Sequence, residues 1–280
     1  MIRDTFFSLP RFVNVCRKEM VESWKINLRR VVLMYGVLAI ALICEAYSQY
    51  GWYHEGVDLM RRRAIWSFGM MAFVWGLIIL GSLSASFTME RMKTKNNRVA
   101  MLMMPATMFE KFLARWLVFT FGFLLIYLVA YKLADWTRVL FFMVKNPEET
   151  TVGPIPLLSL LVGEGRLSLV NWTLFGNGEQ FVRAVGGYFL LQSCFVLGSS
   201  IWPRNTFVKT FVAGVAIVIG YATVGALAIK LMWGGHPVNV NEPSEETLWL
   251  VLTLFCYTMT LFNWVLAYFR FKESEVIKRW

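Results

Sequence analysis

The stretch AIWSFGMMAFVWGLIILGSLSASFTM, Ala64–Met89, carries no charged side chain in 26 residues. A helix needs about 20 apolar residues to cross the hydrocarbon core of a bilayer. This run therefore reads as a transmembrane helix. Working outward, five more stretches approach or meet the same requirement, placing spans at about 31–47, 64–88, 112–132, 184–203, 208–230 and 247–269. Composition agrees. Of 280 residues 57% are hydrophobic and 16% charged, with mean hydropathy +0.53, whereas an ordinary soluble chain is roughly 25% charged. The expected fold is an all-α integral membrane protein of six transmembrane helices.

Lys and Arg flanking the spans give the orientation, because basic residues near span ends are retained on the cytoplasmic side. With both termini inside, the inner segments hold 19 basic and 7 acidic residues, the outer ones 9 and 11. Both termini are thus expected in the cytoplasm, with residues 270–280 as a cytoplasmic tail. The net charge of +10 is then a topology signal, and nucleic acid is not an expected partner. Arg61, Arg62 and Arg63 run against this count on the outer side, where anionic headgroups or Glu55 and Asp58 would meet them. The first apolar run begins only at Val31, after seven basic residues, and is expected to act as an uncleaved anchor.

Residues 1–30 are too polar for the core but are patterned. At 100° per residue Arg11, Lys18, Glu22, Lys25 and Arg29 share one face, and Leu9, Phe12, Val13, Cys16, Met20 and Trp24 the opposite one. This predicts an amphipathic interfacial helix on the inner membrane surface, cations toward headgroups and Phe and Trp toward the tails. Arg11, Phe12, Lys18, Met20, Trp24, Lys25 and Arg29 are its lipid-contacting candidates.

The inner loop 89–111 has three parts. Glu90–Arg98 is polar and mainly basic, Val99–Met104 is Met-rich and adaptable, and Pro105 restarts the chain. Thr107 stands three residues before Glu110, the spacing at which each side chain satisfies the other's free backbone N–H at a helix start. A short capped helix with an exposed Met and Phe surface is expected, running into span three. Such a surface either docks on another protein or packs beneath the bundle.

The run Leu102-Met-Met-Pro-Ala-Thr-Met-Phe-Glu-Lys-Phe-Leu113, between spans two and three of a six-span chain, resembles the permease subunit of bacterial ABC-2 type transporters. The C-terminal Tyr268-Phe-Arg-Phe-Lys-Glu-Ser-Glu275 resembles the ends of such permeases. The resemblance implies that Met104, Pro105, Thr107, Met108, Phe109, Glu110 and Phe112 belong to a coupling helix seated in a cleft of a separate cytoplasmic ATPase subunit. It further implies a multi-pass protein of a bacterial cytoplasmic (inner) membrane, working as a homodimer or with a second permease. ATP would be bound by the partner chain, and export would be the direction of transport.

Other classes lose ground on the residues alone. The chain has no GxxxxGK[ST] phosphate loop, no GxSxG elbow, and its two histidines, His54 and His236, stand isolated. Catalytic, cofactor-binding and metal-binding residues are expected to be none, and the chain is not expected to be an enzyme. Lys132 and Lys230 read as snorkelling span ends, while Gln192, Ser193, Ser199, Ser200 and Asn263 read as interhelical hydrogen-bonding groups. The outer segment 133–183 reads as a small cap, with Ile155–Val162 too short to cross. The alternative function is a non-transporting polytopic membrane protein, an anchor or assembly factor.

Overall fold

The computed structural model describes residues 6–50, 59–145, 153–161, 173–202, 204–233 and 245–274. The elements are α1 (Leu9–Tyr50), α2 (Leu59–Ser86), a 3-10 turn (Glu90–Lys93), α3 (Lys95–Leu102), α4 (Met108–Leu117), a π turn (Val118–Gly122), α5 (Phe123–Lys145), α6 (Leu157–Leu161), α7 (Gly178–Ile201), α8 (Thr206–Trp233) and α9 (Glu245–Lys272). Six helical stretches are long and apolar enough to cross a membrane, so the chain is a multi-pass membrane protein. Glu55 and Asp58, proposed partners of the Arg61–Arg63 run, lie outside the described residues, as does Glu275.

The chain divides into two compact units, Met1–Ser84 with Leu113–Val185, and Ala85–Phe112 with Gly186–Trp280. In the first, α1 packs along α5. Its buried positions Met34, Leu38, Leu42 and Ala46 recur every four residues, the spacing that keeps side chains on one helical face. They meet Ile65, Met70 and Phe73 of α2 and Tyr127, Ala130, Tyr131 and Ala134 of α5 in one core. Small residues let α2 and α5 approach. Tyr127 Oη donates to the Phe73 carbonyl and Tyr131 Oη to that of Gly69, both at 2.7 Å. A Cβ at Gly76 would lie 2.5 Å from Tyr127 Oη. The order of these pairs makes α2 and α5 antiparallel.

The register of α1 on the third helical stretch can be read at two levels. Arg115 Nη1 lies 3.5 Å from Glu19 Oε2, and Lys145 Nζ lies 4.1 Å from the Tyr47 ring centroid. The two run parallel, and the offset changes by only two residues between these levels. Two expected boundaries move as a result. Residues 1–30 do not form a separate helix: α1 is unbroken from Leu9 to Tyr50, 42 residues and thus about 63 Å at 1.5 Å per residue, about twice the hydrocarbon thickness. Span three, expected at 112–132, is part of a helical stretch from Met108 to Lys145.

The charges that seemed to end span three are satisfied inside the protein. Arg138 donates to Asp135 Oδ1 at 2.8 Å and to the Gly153 carbonyl at 3.0 Å, while Ile155 N–H donates to Asp135 Oδ2 at 2.8 Å. Lys132 Nζ donates to the Ile155 carbonyl at 2.7 Å, so it does not snorkel as expected. The short apolar stretch after Pro154 is thereby held against the bundle, with Ile155, Leu157 and Leu160 buried in the core.

In the second unit α7 and α8 form a tight hairpin. Asn205 takes φ 55° at its turn, a left-handed geometry that Asn tolerates better than most residues. Phe195 stacks on Phe207 with centroids 5.2 Å apart, and Gly198 presses against the side chain of Thr210. α7 and α9 lie side by side and parallel. Gly186 faces the Tyr257 ring, Phe189 meets Trp264 at 6.1 Å, and Asn263 Nδ2 donates to Ser193 Oγ at 3.0 Å.

Candidate functional site

The loop after α2 folds on itself. Thr88 Oγ1 donates to the Ala85 carbonyl at 2.7 Å, and Met89, Met92 and Met101 are buried. Arg98 Nη2 donates to the Met92 carbonyl at 3.0 Å, tying α3 to the 3-10 turn. Lys111 Nζ donates to the Leu102 carbonyl at 2.8 Å. A cation there satisfies one of the carbonyls that every helix end leaves without an intrahelical partner, and it sits at the negative end of the α3 dipole.

The helix start is built as the Thr107 and Glu110 spacing predicts. Glu110 N–H donates to Thr107 Oγ1 at 3.3 Å, and Thr107 N–H donates to Glu110 Oε2 at 3.1 Å. Glu110, fully buried, is therefore a local structural group as well as a member of the motif. From this cap α4 runs directly into the third membrane stretch. At the π turn, Ser84 Oγ donates to the Phe119 carbonyl at 3.0 Å. That bond answers an i→i−4 ladder which a π turn disrupts.

The aromatic side of α4 does not point outward as expected. Phe109 meets Tyr268 edge-on at 5.9 Å, and Phe112 meets Tyr268 at 5.6 Å and Phe271 at 6.2 Å. Phe112 is buried and Phe109 and Met108 half-buried. The exposed apolar tip is instead Met103, 77% exposed, with Pro105 exposed beside it and Met104 half-buried. The inner loop and the C-terminal Tyr-Phe-Arg-Phe stretch, both singled out in the sequence, thus form one aromatic cluster.

In the N-terminal part of α1, Lys18, Met20, Trp24, Lys25 and Arg29 are exposed, while Arg11 and Phe12 are half-buried. Phe12 contacts Phe7 at 5.6 Å, and Lys18 pairs with Glu22 at 3.5 Å on the surface. The buried line is neither of the two faces expected to matter but a third, Val15 and Glu19, continued by half-buried Ser23 and Asn27. Glu19 is the residue sequence reasoning missed. Its partner Arg115 is 2% exposed and also sits 5.7 Å over the Phe119 ring. The available signal was its place one turn after apolar Val15, off the charged face. Burial, and behind it the Glu19 charge, pushes the neighbouring Cys16 thiol above its ordinary range.

Among the described residues no group of His, Cys, Asp and Glu is arranged to hold a metal ion. No family model matches the chain, and neither a curated protein nor a solved structure is found to be similar to it.

Proposed function

We propose that this chain is the transmembrane permease subunit of an ATP-driven ABC-2 type exporter in a bacterial inner membrane, with ATP hydrolysed by a separate cytoplasmic subunit. The observation that carries the reading is the capped α4 start. A rigidly built helix N-terminus, with Met103 and Pro105 projecting just before it, leads without interruption into a membrane-crossing helix. A push on that tip would enter the membrane along the helical stretch Met108–Lys145, and partner binding would shift the balance of inward and outward states by its different affinity for each. The Phe109 and Phe112 contacts with Tyr268 and Phe271 give the same push a second route, into α9. Pairing of two such chains belongs to the reading, and α8 supports it: the most apolar window of Thr206–Ala228 has 0% of its residues buried, so beyond the base that packs on α7 at Phe207 and Thr210 it has most of its surface to give to a partner or to lipid.

The test is purification of the chain from its own membranes in mild detergent, with bound proteins identified by mass spectrometry. An ABC ATPase is expected, and Met103→Asp, which alters an exposed side chain, is expected to reduce its recovery at least about tenfold, equivalent to about 1.4 kcal/mol. An unchanged recovery removes the tip from the interface. Absence of any ATPase removes the transporter reading and leaves an anchor or assembly factor.

A further inference from the structure

One face of α7 is chemically at odds with its depth. Gln192 lies at the middle of the charge-free run Ala184–Pro203 and is 0% exposed. Neither its Oε1 nor its Nε2 has a hydrogen-bond partner among the described residues, and the buried Oη of Tyr188, one turn earlier, has none either. Residues four apart on a helix are surface neighbours, with Cβ atoms about 5–6 Å apart. Ser193, about 100° around the same helix, contrasts with them. Its hydroxyl donates to the Leu190 carbonyl and accepts from Asn263, as an ordinary interhelical contact should.

An unpaired amide or hydroxyl in an apolar medium costs about 2–7 kcal/mol, and hydrocarbon offers nothing to satisfy it. Full enclosure keeps lipid and a second copy of the chain from Gln192 in this conformation, and a small polar molecule admitted among the helices is the partner that suits it. The chemistry of the groups narrows its class. Gln192 presents two donors and an acceptor, and Tyr188 one of each. The run Ala184–Pro203 supplies no countercharge for an ion.

We infer that Tyr188 and Gln192 line a water-accessible hydrogen-bonding site at mid-depth in the membrane, suited to neutral hydroxyl- or amide-bearing solutes. The site is closed in this conformation, and solvent reaches it when the helices around it part. It does not depend on the permease reading, since a hydrated site is equally compatible with a chain that binds a polar solute without transporting it.

Gln192→Cys and Leu191→Cys, each in a chain whose Cys16, Cys44, Cys194 and Cys256 are replaced by Ala, are reacted in lipid nanodiscs with a charged methanethiosulfonate. Thiolate chemistry needs water, so Gln192→Cys is expected to react at least about tenfold faster than Leu191→Cys on the exposed side of the same turn. Equal rates overturn the inference. Hydroxyl-radical labelling of the unmodified chain covers a variant that does not fold. Tyr188 is expected to be oxidised more than Tyr221, which is 78% exposed on apolar α8, and equal or lower oxidation at Tyr188 overturns the inference.

Discussion

Arg138 and Asp135 show how a pair of charges is accommodated inside an apolar bundle. Both are essentially unexposed, three residues apart on α5, and their remaining bonds go to the backbone at Gly153 and Ile155. Removing one partner of such a pair strands the other, which typically costs about 3–5 kcal/mol, whereas replacing both by apolar or neutral groups is often near neutral. Arg138→Met is therefore expected to lower unfolding stability in detergent by about that amount, and Asp135→Asn with Arg138→Met to recover much of it. A double variant no better than the single one would mean that the backbone bonds, not the charge pairing, hold the segment. Cys16 gives a second residue-scale expectation. Because its thiol is pushed up from an ordinary 9.0 and the thiolate is the nucleophile, its reaction with maleimide should still be climbing above pH 9. A rate that levels off at or below that pH would show a thiol that burial does not hold protonated.

The elements were legible in the sequence where their signal was local, and illegible where satisfaction came from elsewhere in the chain. The run Ala64–Met89 needed nothing beyond its own length, and α2 ends three residues short of it, at Ser86. The cap at Thr107 needed only residues three apart. Lys132, Asp135 and Arg138 looked like the edge of a span because their partners, Gly153 and Ile155, follow a break in the apolar pattern. The spacing of Asp135 and Arg138, three residues on one helical face, was the one hint that the helix continued. Glu19 failed in the same way, its partner Arg115 lying on another helix. Gly198 carries a related lesson in packing. A Cβ there would overlap the side chain of Thr210 and lie 2.8 Å from its Cβ, so the α7–α8 hairpin closes only because residue 198 has no side chain. Gly198→Ala is expected to destabilise the chain by about 1–3 kcal/mol through overpacking. Thr210→Ala should relieve part of that loss, measured by thermal unfolding of single and double variants. Full tolerance of Gly198→Ala alone would mean that the hairpin can open at no cost.

Across the whole molecule, helix direction and charge have to tell one story. Within the first unit α1 and the third stretch are parallel and α2 is antiparallel to α5, and within the second α7 and α9 are parallel, as six alternating crossings require. Thr94 and Asn177, both exposed, flank in sequence the single candidate crossing from Met108 to Lys145, and a crossing there puts them on opposite faces. On the orientation expected from the excess of Lys and Arg beside these span ends, the Thr94 face is the cytoplasmic one. In a chain without its native cysteines, Asn177→Cys should react with an impermeant maleimide added to intact cells, and Thr94→Cys only after the membrane is opened. Each departure has a separate meaning. Labelling of Thr94→Cys from outside, with Asn177→Cys protected, would reverse the orientation and take the capped α4 start away from any cytoplasmic ATPase. Labelling of both from one side would mean that the Met108–Lys145 stretch does not cross. The long helix α1 would then lose its membrane-crossing neighbour, and the parallel register from Glu19 to Tyr47 would have to lie outside the bilayer, where the exposed apolar side chains Leu33, Val37 and Ile40 of α1 would stand in water at a cost.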